Sequence, residues 1–264
     1  MKNLAKVKRL LANPVFPRAS KYDPAWILAN EMGPNALWLA ESLTEVMPLR
    51  PGMRVLDMGC GRAMTSVFFA REFGVTVWAN DLWITATQNL ATLREARVDD
   101  RVFPIRAEAH ALPYADGFFD AIVSLDSYHY YGTSDTYLAY FSKFLRQGGR
   151  IGIVVPGLVR DIKGNVPGHL ARPFGKSPPF WDPKECGSFH TAPWWKRHWA
   201  ATGLVEVESC ALMKDGWKHW LRWDEARMAG GGGHSGFPTD APAIRADRGR
   251  YVGFVRMVAR KPLA

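Results

Sequence analysis

A chain of 264 residues is the size of one large α/β domain, and such a chain buries roughly three quarters of its unfolded surface, enough for an enzyme core without disulfides. Hydrophobic residues make up 47% and charged residues 22%, and no apolar run approaches the roughly 18 residues that cross a bilayer, so composition excludes a disordered chain and a spanning helix. The formal net charge of +9 raises the question of a polyanionic partner, but the cations stand in ones and twos with no dense tract. No specific nucleic-acid partner is therefore expected.

The start, MKNLAKVKRLLANPVF, is basic like a signal peptide, yet Lys6, Lys8 and Arg9 interrupt its apolar stretch. Cys60, Cys186 and Cys210 are odd in number and scattered, as reduced thiols are. A cytoplasmic location is the expectation. Residues 24–47 read as two amphipathic helices broken at Gly33-Pro34, with Leu28 and Met32 on one buried face and Leu39, Leu43 and Val46 on the other. They make residues 1–49 a helical cap.

Residues 50–155 alternate short apolar runs with helix-like stretches, the pattern of a doubly wound parallel sheet. Strands are predicted at 53–58, 75–80, 101–106, 118–124 and 149–155, and helices at 62–73, 84–97 and 133–146. The proline-rich residues 156–190 are too long for a simple connection and read as a lid over a binding site. Regular structure returns over 191–264, with a helix at 191–202, a strand at 204–212, a Trp-rich helix at 216–228 and a last strand at 250–260. Gly230 to Gly233 read as a flexible tether.

The most informative stretch is VLDMGCGRA from Val55, where a strand ends near Asp57 and passes Gly59, Cys60 and Gly61 into a helix. Glycines there allow a tight turn and close approach of a ligand to the backbone. The third position of a dinucleotide-type glycine pattern is occupied by Met64, and the carboxylate of Asp57 two residues ahead of the first glycine repels phosphate. The pair suits a ligand with an amino group for Asp57 and a carboxylate for the helix N-terminus. S-adenosylmethionine has both and carries no phosphate. The segment resembles the first motif of class I S-adenosylmethionine-dependent methyltransferases, of the small-molecule, methyltransferase-11 or UbiE-like type, with Ala63 where many members have a third glycine.

The resemblance continues through residues 50–155. It implies that Asp81, ending VWAND, accepts hydrogen bonds from both ribose hydroxyls, with Leu82 and Trp83 as flat neighbours. It also implies that Glu108, where Asp is usual, reads the adenine edge together with the Ala109 amide, ahead of the LPY element. LRQGGRIGIVV from Leu145 resembles the family's turn into the fifth strand. The implied architecture is a Rossmann-like, seven-stranded doubly wound sheet with an antiparallel last strand, N-terminal helices and a cap insertion.

After the fourth strand, SLDSYHYYG gathers Ser124, Asp126, Tyr128 and His129 at a carboxyl-terminal strand end, where open α/β sheets bind ligands. Ser124 is assigned to the cofactor side, and Asp126, Tyr128 and His129 to the acceptor. His129 is the candidate general base if the acceptor must lose a proton, since its ordinary pKa of about 6.5 suits that role. Otherwise alignment alone, worth roughly 7 to 11 kcal/mol, drives direct displacement at the methyl carbon.

Ser177-Pro178-Pro179-Phe180 matches a tetrapeptide of enzymes that methylate DNA bases, but it lies in the insert behind the fifth strand rather than after the fourth. Cys186 and His190 lack the second pair a structural zinc site needs, so no metal is expected. The expected function is methyl transfer to a small molecule. Its rivals are a nucleic-acid methyltransferase, an aminopropyl transferase and a non-catalytic binder on the same fold.

Overall fold

The computed structural model describes residues 3–175, 177–232 and 236–263. Three helices precede the sheet. In α1 (Leu4–Leu11) the Asn3 side chain accepts from the Lys6 N–H at 3.1 Å, which closes the first turn. Asp23 does the same for α2 (Pro24–Ala29), whose first position is a proline that needs no partner, and Asn35 caps α3 (Ala36–Thr44). The break between α2 and α3 falls at Gly33-Pro34, as the sequence predicts.

The core then runs β1 (Arg54–Met58), α4 (Met64–Phe73), β2 (Thr76–Asp81), α5 (Ala86–Glu95), β3 (Val102–Arg106), β4 (Phe119–Leu125), α6 (Tyr137–Phe141) and β5 (Leu145–Leu158). Beyond it lie α7 (Gly168–Ala171), α8 (Pro183–Cys186), α9 (Ala192–Ala200), β6 (Glu206–Leu212), α10 (Gly216–Gly230), α11 (Ala241–Asp247) and β7 (Val252–Arg260). The seven strands form one sheet in the order β3-β2-β1-β4-β5-β7-β6. Only β7 runs against its neighbours, β5 and β6. The fold is the expected seven-stranded sheet with an antiparallel last strand.

Strand alternation splits the core into two layers. Val55 and Val123 join Val67, Phe68, Leu37 and Leu43 on one side of the sheet, while Leu56 and Ile122 join Phe141, Trp195, Trp199 and Val255 on the other. The tryptophans of 191–228 are thus chiefly core: Trp195, Trp199, Trp220 and Trp223 are all buried.

Some elements differ from expectation. The helix read at 133–146 is helical only at Tyr137–Phe141 plus a 3-10 turn at Ser142–Phe144, and β5 begins at Leu145 rather than 149. Pairing with β7 also carries β5 through Pro156 and Gly157 to Leu158. The glycine tract begins inside α10, and Gly233 lies outside the described residues. Past the tract the chain is tied down, because the buried Arg227 guanidinium donates to the Asp224 carboxylate and to the Phe237 and Pro238 carbonyls, each at 2.7 Å. Asp224 in turn accepts from the Thr239 hydroxyl and the Ala241 N–H, which sets the start of α11. Among the described residues no helix is long and apolar enough to cross a membrane.

Candidate functional site

Strand order reverses between β1 and β4, and open α/β sheets bind ligands in the crevice outside the carboxyl ends at such a point. A cavity of about 310 Å³ opens there, within the usual range for small-molecule sites. Its wall carries Gly59, Cys60, Gly61, Asp81, Leu82, Glu108, Ala109 and Asp126, eight of the twelve residues assigned from sequence. Asn30, Met32 and Pro34 of the α2–α3 connection, with Ala36 at the start of α3, line its N-terminal side. Among the described residues, none of 156–190 lines it.

Asp57, Ser124, Tyr128 and His129 lie behind the wall. Asp57 is 1% exposed, and its Oδ2 accepts from the Thr65 and Ser66 hydroxyls, both at 2.6 Å. The expected hold on a ligand amine is therefore replaced by a clasp between the end of β1 and the first turn of α4. Burial pushes the carboxyl up to about 6, against the two hydroxyl hydrogen bonds that pull it down. The Ser124 hydroxyl is buried 2.9 Å from the Tyr131 hydroxyl, which itself reaches the cavity wall.

Tyr128 packs among Tyr131, Tyr137, Phe141, Trp195 and Trp199. His129 is 1% exposed, with its ring 4.0 Å from that of Tyr130. Its Nδ1 has no hydrogen-bond partner among the described residues, and burial pushes its pKa down to about 3, so the ring is neutral at pH 7. The expected placement of Tyr128 and His129 toward a reacting methyl is not the one observed. The cause is Asp126, a non-glycine residue with φ of 54° at the tip of β4. At that left-handed turn Asp126 faces the cavity, while Tyr128 and His129 lie in the core and Ser127, Tyr130 and Tyr131 return to the wall.

On the other side of the cavity the Asp81 carboxylate is held by the chain. Oδ2 accepts from the Gly61 N–H at 2.8 Å, and Oδ1 from the Trp83 and Ile84 N–H groups at 2.8 and 2.9 Å. A carboxylate offers about four acceptor directions, so one remains, on Oδ2. Glu108 folds back on its own loop, accepting from the His110 N–H at 2.7 Å and pairing with His110 Nδ1 at 2.8 Å, which holds its carboxyl below the ordinary range. Leu82 and Trp83 are exposed at the mouth.

Several supports escape the sequence reading. Asn89 on α5 is buried and donates to the Gly61 carbonyl at 3.0 Å, fixing the glycine turn from below. A polar residue four positions ahead of the buried Leu93, on the apolar face of the helix, was the available signal. Asn80 accepts the Gly59 and Cys60 N–H groups on its carbonyl and donates to the Ala107 carbonyl at 3.1 Å. Gly59 has φ of 74°, and a Cβ on it would stand 1.9 Å from the Ser127 hydroxyl, so the β4 loop rests on its backbone.

S-adenosylmethionine presents a carboxylate, an amine, a ribose and an adenine, and the residues present fit it in part. The N-terminus of α4 has no side-chain cap, and Met64 and Thr65 of its first turn line the cavity, so its positive end is open to a carboxylate. Leu82, Trp83 and Ala109 form an apolar mouth beside Asp81.

Residues 55–149 match the sequence model of a family described as "Methyltransferase domain". A curated relative, methyltransferase GfsG of Streptomyces halstedii, is 33% identical over 155 residues, which cover 56% of this chain and 52% of that protein. The chain thus spans about half the length of the curated relative it matches. Among solved structures, the [4+2]-cyclase SpnF is 19% identical with a TM-score of 0.64, covering 89% of this chain and 84% of the other. Geranyl diphosphate C-methyltransferase of Streptomyces coelicolor, solved with S-adenosyl-L-homocysteine, is 20% identical with a TM-score of 0.62, covering 84% and 78%. At these identities the structural likeness establishes the fold.

Proposed function

We propose, from the premise that this chain belongs to the class I S-adenosylmethionine-dependent methyltransferases, that it uses S-adenosylmethionine to methylate a small-molecule acceptor by direct displacement. The observation that carries this reading is the single cavity reaching from Asp81 and Glu108, at the tips of β2 and β3, to Asp126 at the tip of β4. The β2 and β3 tips offer the cofactor its place, and the β4 tip offers the acceptor its own. The cofactor supplies a methyl group on a sulfonium, whose departure as a neutral thioether provides the driving force.

The chain's own task is alignment. The uncapped first turn of α4 takes the cofactor carboxylate, and Leu82, Trp83 and Ala109 flank the adenine. The remaining Oδ2 direction of Asp81 accepts one ribose hydroxyl. Acceptance of both requires a backbone N–H, that of Gly61 or one of the Trp83 and Ile84 pair, to release the carboxylate. On the acceptor side Asp126 and Tyr130 are the groups in contact, while Tyr128 and His129 support them from the core. Met32 and Pro34 exclude water above.

Calorimetry with S-adenosylmethionine and S-adenosylhomocysteine tests the first half of the reading. Transfer of label from methyl-labelled S-adenosylmethionine to fractions of a metabolite extract, followed by mass spectrometry of the product, tests the second. Cofactor binding without any labelled product would leave a binding protein and end the enzyme reading.

A further inference from the structure

Asp126 differs from every other carboxylate described at the cavity. Asp81 holds three backbone N–H groups and Glu108 holds His110, but among the described residues the Asp126 carboxylate has neither a hydrogen-bond donor nor a cation. The charges that act on it are Asp240, just ahead of α11, and Glu185 in α8, both of its own sign. Its remaining accessible surface opens onto the cavity, yet the surrounding packing is dense enough for burial to push its carboxyl well above the ordinary range. Gly33 lies against it from the N-terminal side, where a Cβ would stand 2.4 Å from Asp126 Oδ2. Tyr130 completes that wall, with Asp126 and Glu185 acting on its hydroxyl.

Enclosed carboxylates are held by donors or cations, and one left without either is costly to keep ionised. With Asp240 and Glu185 acting on Asp126 from behind the wall, this end of the cavity disfavours an anionic acceptor, and an arriving cation stabilises the ionised form of Asp126. An aromatic ring beside it suits an ammonium further. Resting on the methyltransferase reading above, we infer that the acceptor carries a protonated amine, that Asp126 anchors this group, and that Asp126 takes its proton before attack.

The ammonium passes one N–H proton to a carboxylate oxygen of Asp126, leaving a neutral amine with a free lone pair. That pair forms the N–C bond to the methyl carbon as the C–S bond breaks and its electrons return to sulfur. The products are a methylated ammonium and the thioether, with the proton on Asp126 released to solvent. The displaced positive charge thus reappears on the product nitrogen, still beside Asp240 and Glu185.

The test uses the full chain, methyl-labelled S-adenosylmethionine and a metabolite extract split on a strong cation exchanger at acid pH, where amines are retained while neutral and acidic compounds pass. Label is expected in products of the retained fraction. Asp126→Asn, which tolerates the same left-handed backbone, should lower that transfer by about 30-fold or more while S-adenosylhomocysteine binds as in the parent. Label confined to the unretained fraction overturns the inference while leaving methyl transfer intact. So does an Asp126→Asn protein that transfers at the parent rate. If that variant does not fold, as a lost S-adenosylhomocysteine titration would reveal, the partition measured on the parent still decides. No label in any fraction removes the methyltransferase reading and the inference with it.

Discussion

At the tips of β1 and β2 the polar groups of the cavity are used by the chain itself, whereas at the tip of β4 a carboxylate stands unused. Asp81 is locked by Gly61, Trp83 and Ile84, and the glycine turn is fastened to Asn80 and Asn89. Asp126, one strand over, faces the same cavity with no described donor. The first arrangement presents a preformed shape to a ligand that is always the same. The second keeps a charge in reserve for a ligand that must supply its partner.

Asp81→Ala should expose this difference with the largest effect. It removes the one charge-assisted hydrogen bond that the free Oδ2 direction can make to the ribose, worth about 1.5 to 3 kcal/mol, and it also releases the Gly61 turn, so affinity for S-adenosylmethionine should fall by about 10- to 150-fold in calorimetry. A variant that titrates like the parent would show that the β2 tip does not hold the cofactor.

His129 lies behind the acceptor half, and its role is separable by pH. Its pKa is about 3 in the folded chain and about 6.5 unfolded, so the folded state binds fewer protons and its stabilising contribution is present above 6.5 and lost as pH falls toward 3. Asp57 and Asp240, both pushed up to about 6, act in the opposite sense between about pH 4 and 6, so the total stability does not report His129 alone. The difference between parent and His129→Gln does. Urea unfolding should show it shifting against the parent by about 3 kcal/mol between pH 7 and pH 4. A pH-independent difference would mean that the imidazole is solvated rather than buried.

Gly33→Ala probes the seam between the halves. With φ of 148° and a Cβ set 2.4 Å from Asp126, the variant should lose about 1 to 3 kcal/mol of stability. It should impair acceptor turnover more than cofactor binding, and equal losses in both would merge the two halves. The smallest effect is expected from Trp83→Ala at the exposed mouth, a loss of about 1 kcal/mol or a few-fold in cofactor Kd. A loss as large as that of Asp81→Ala would place the chief cofactor contact at the rim.

The sheet was legible because its signals are local. Apolar runs bounded by turn residues placed β1 to β4 within one or two residues, and the glycine turn and Asp81 stood out by spacing. What escaped depends on tertiary partners. The start of β5 at Leu145 is strand because Phe119 pairs with it, and α1 forms where Arg222 of α10 donates to the Leu10 and Ala12 carbonyls. The acceptor side failed for a subtler reason. Asp126, Tyr128 and His129 are neighbours in sequence, and of the three only Asp126, at a positive φ that composition does not announce, lines the cavity. Asp57 was visible as a carboxylate, but its use depends on the hydroxyls of Thr65 and Ser66 one loop later.

The Trp223 indole N–H donates to the Gly33 carbonyl at 2.7 Å, joining residues 190 apart. On a ribosome, β1 to β5 have emerged and can pair before α10 has been made. The wall that shields Asp126 cannot be in place until α10 arrives. A nascent chain can therefore form the β1 and β2 end of the cavity before α10 closes the Gly33 side of it, the contact of longest range being the last available.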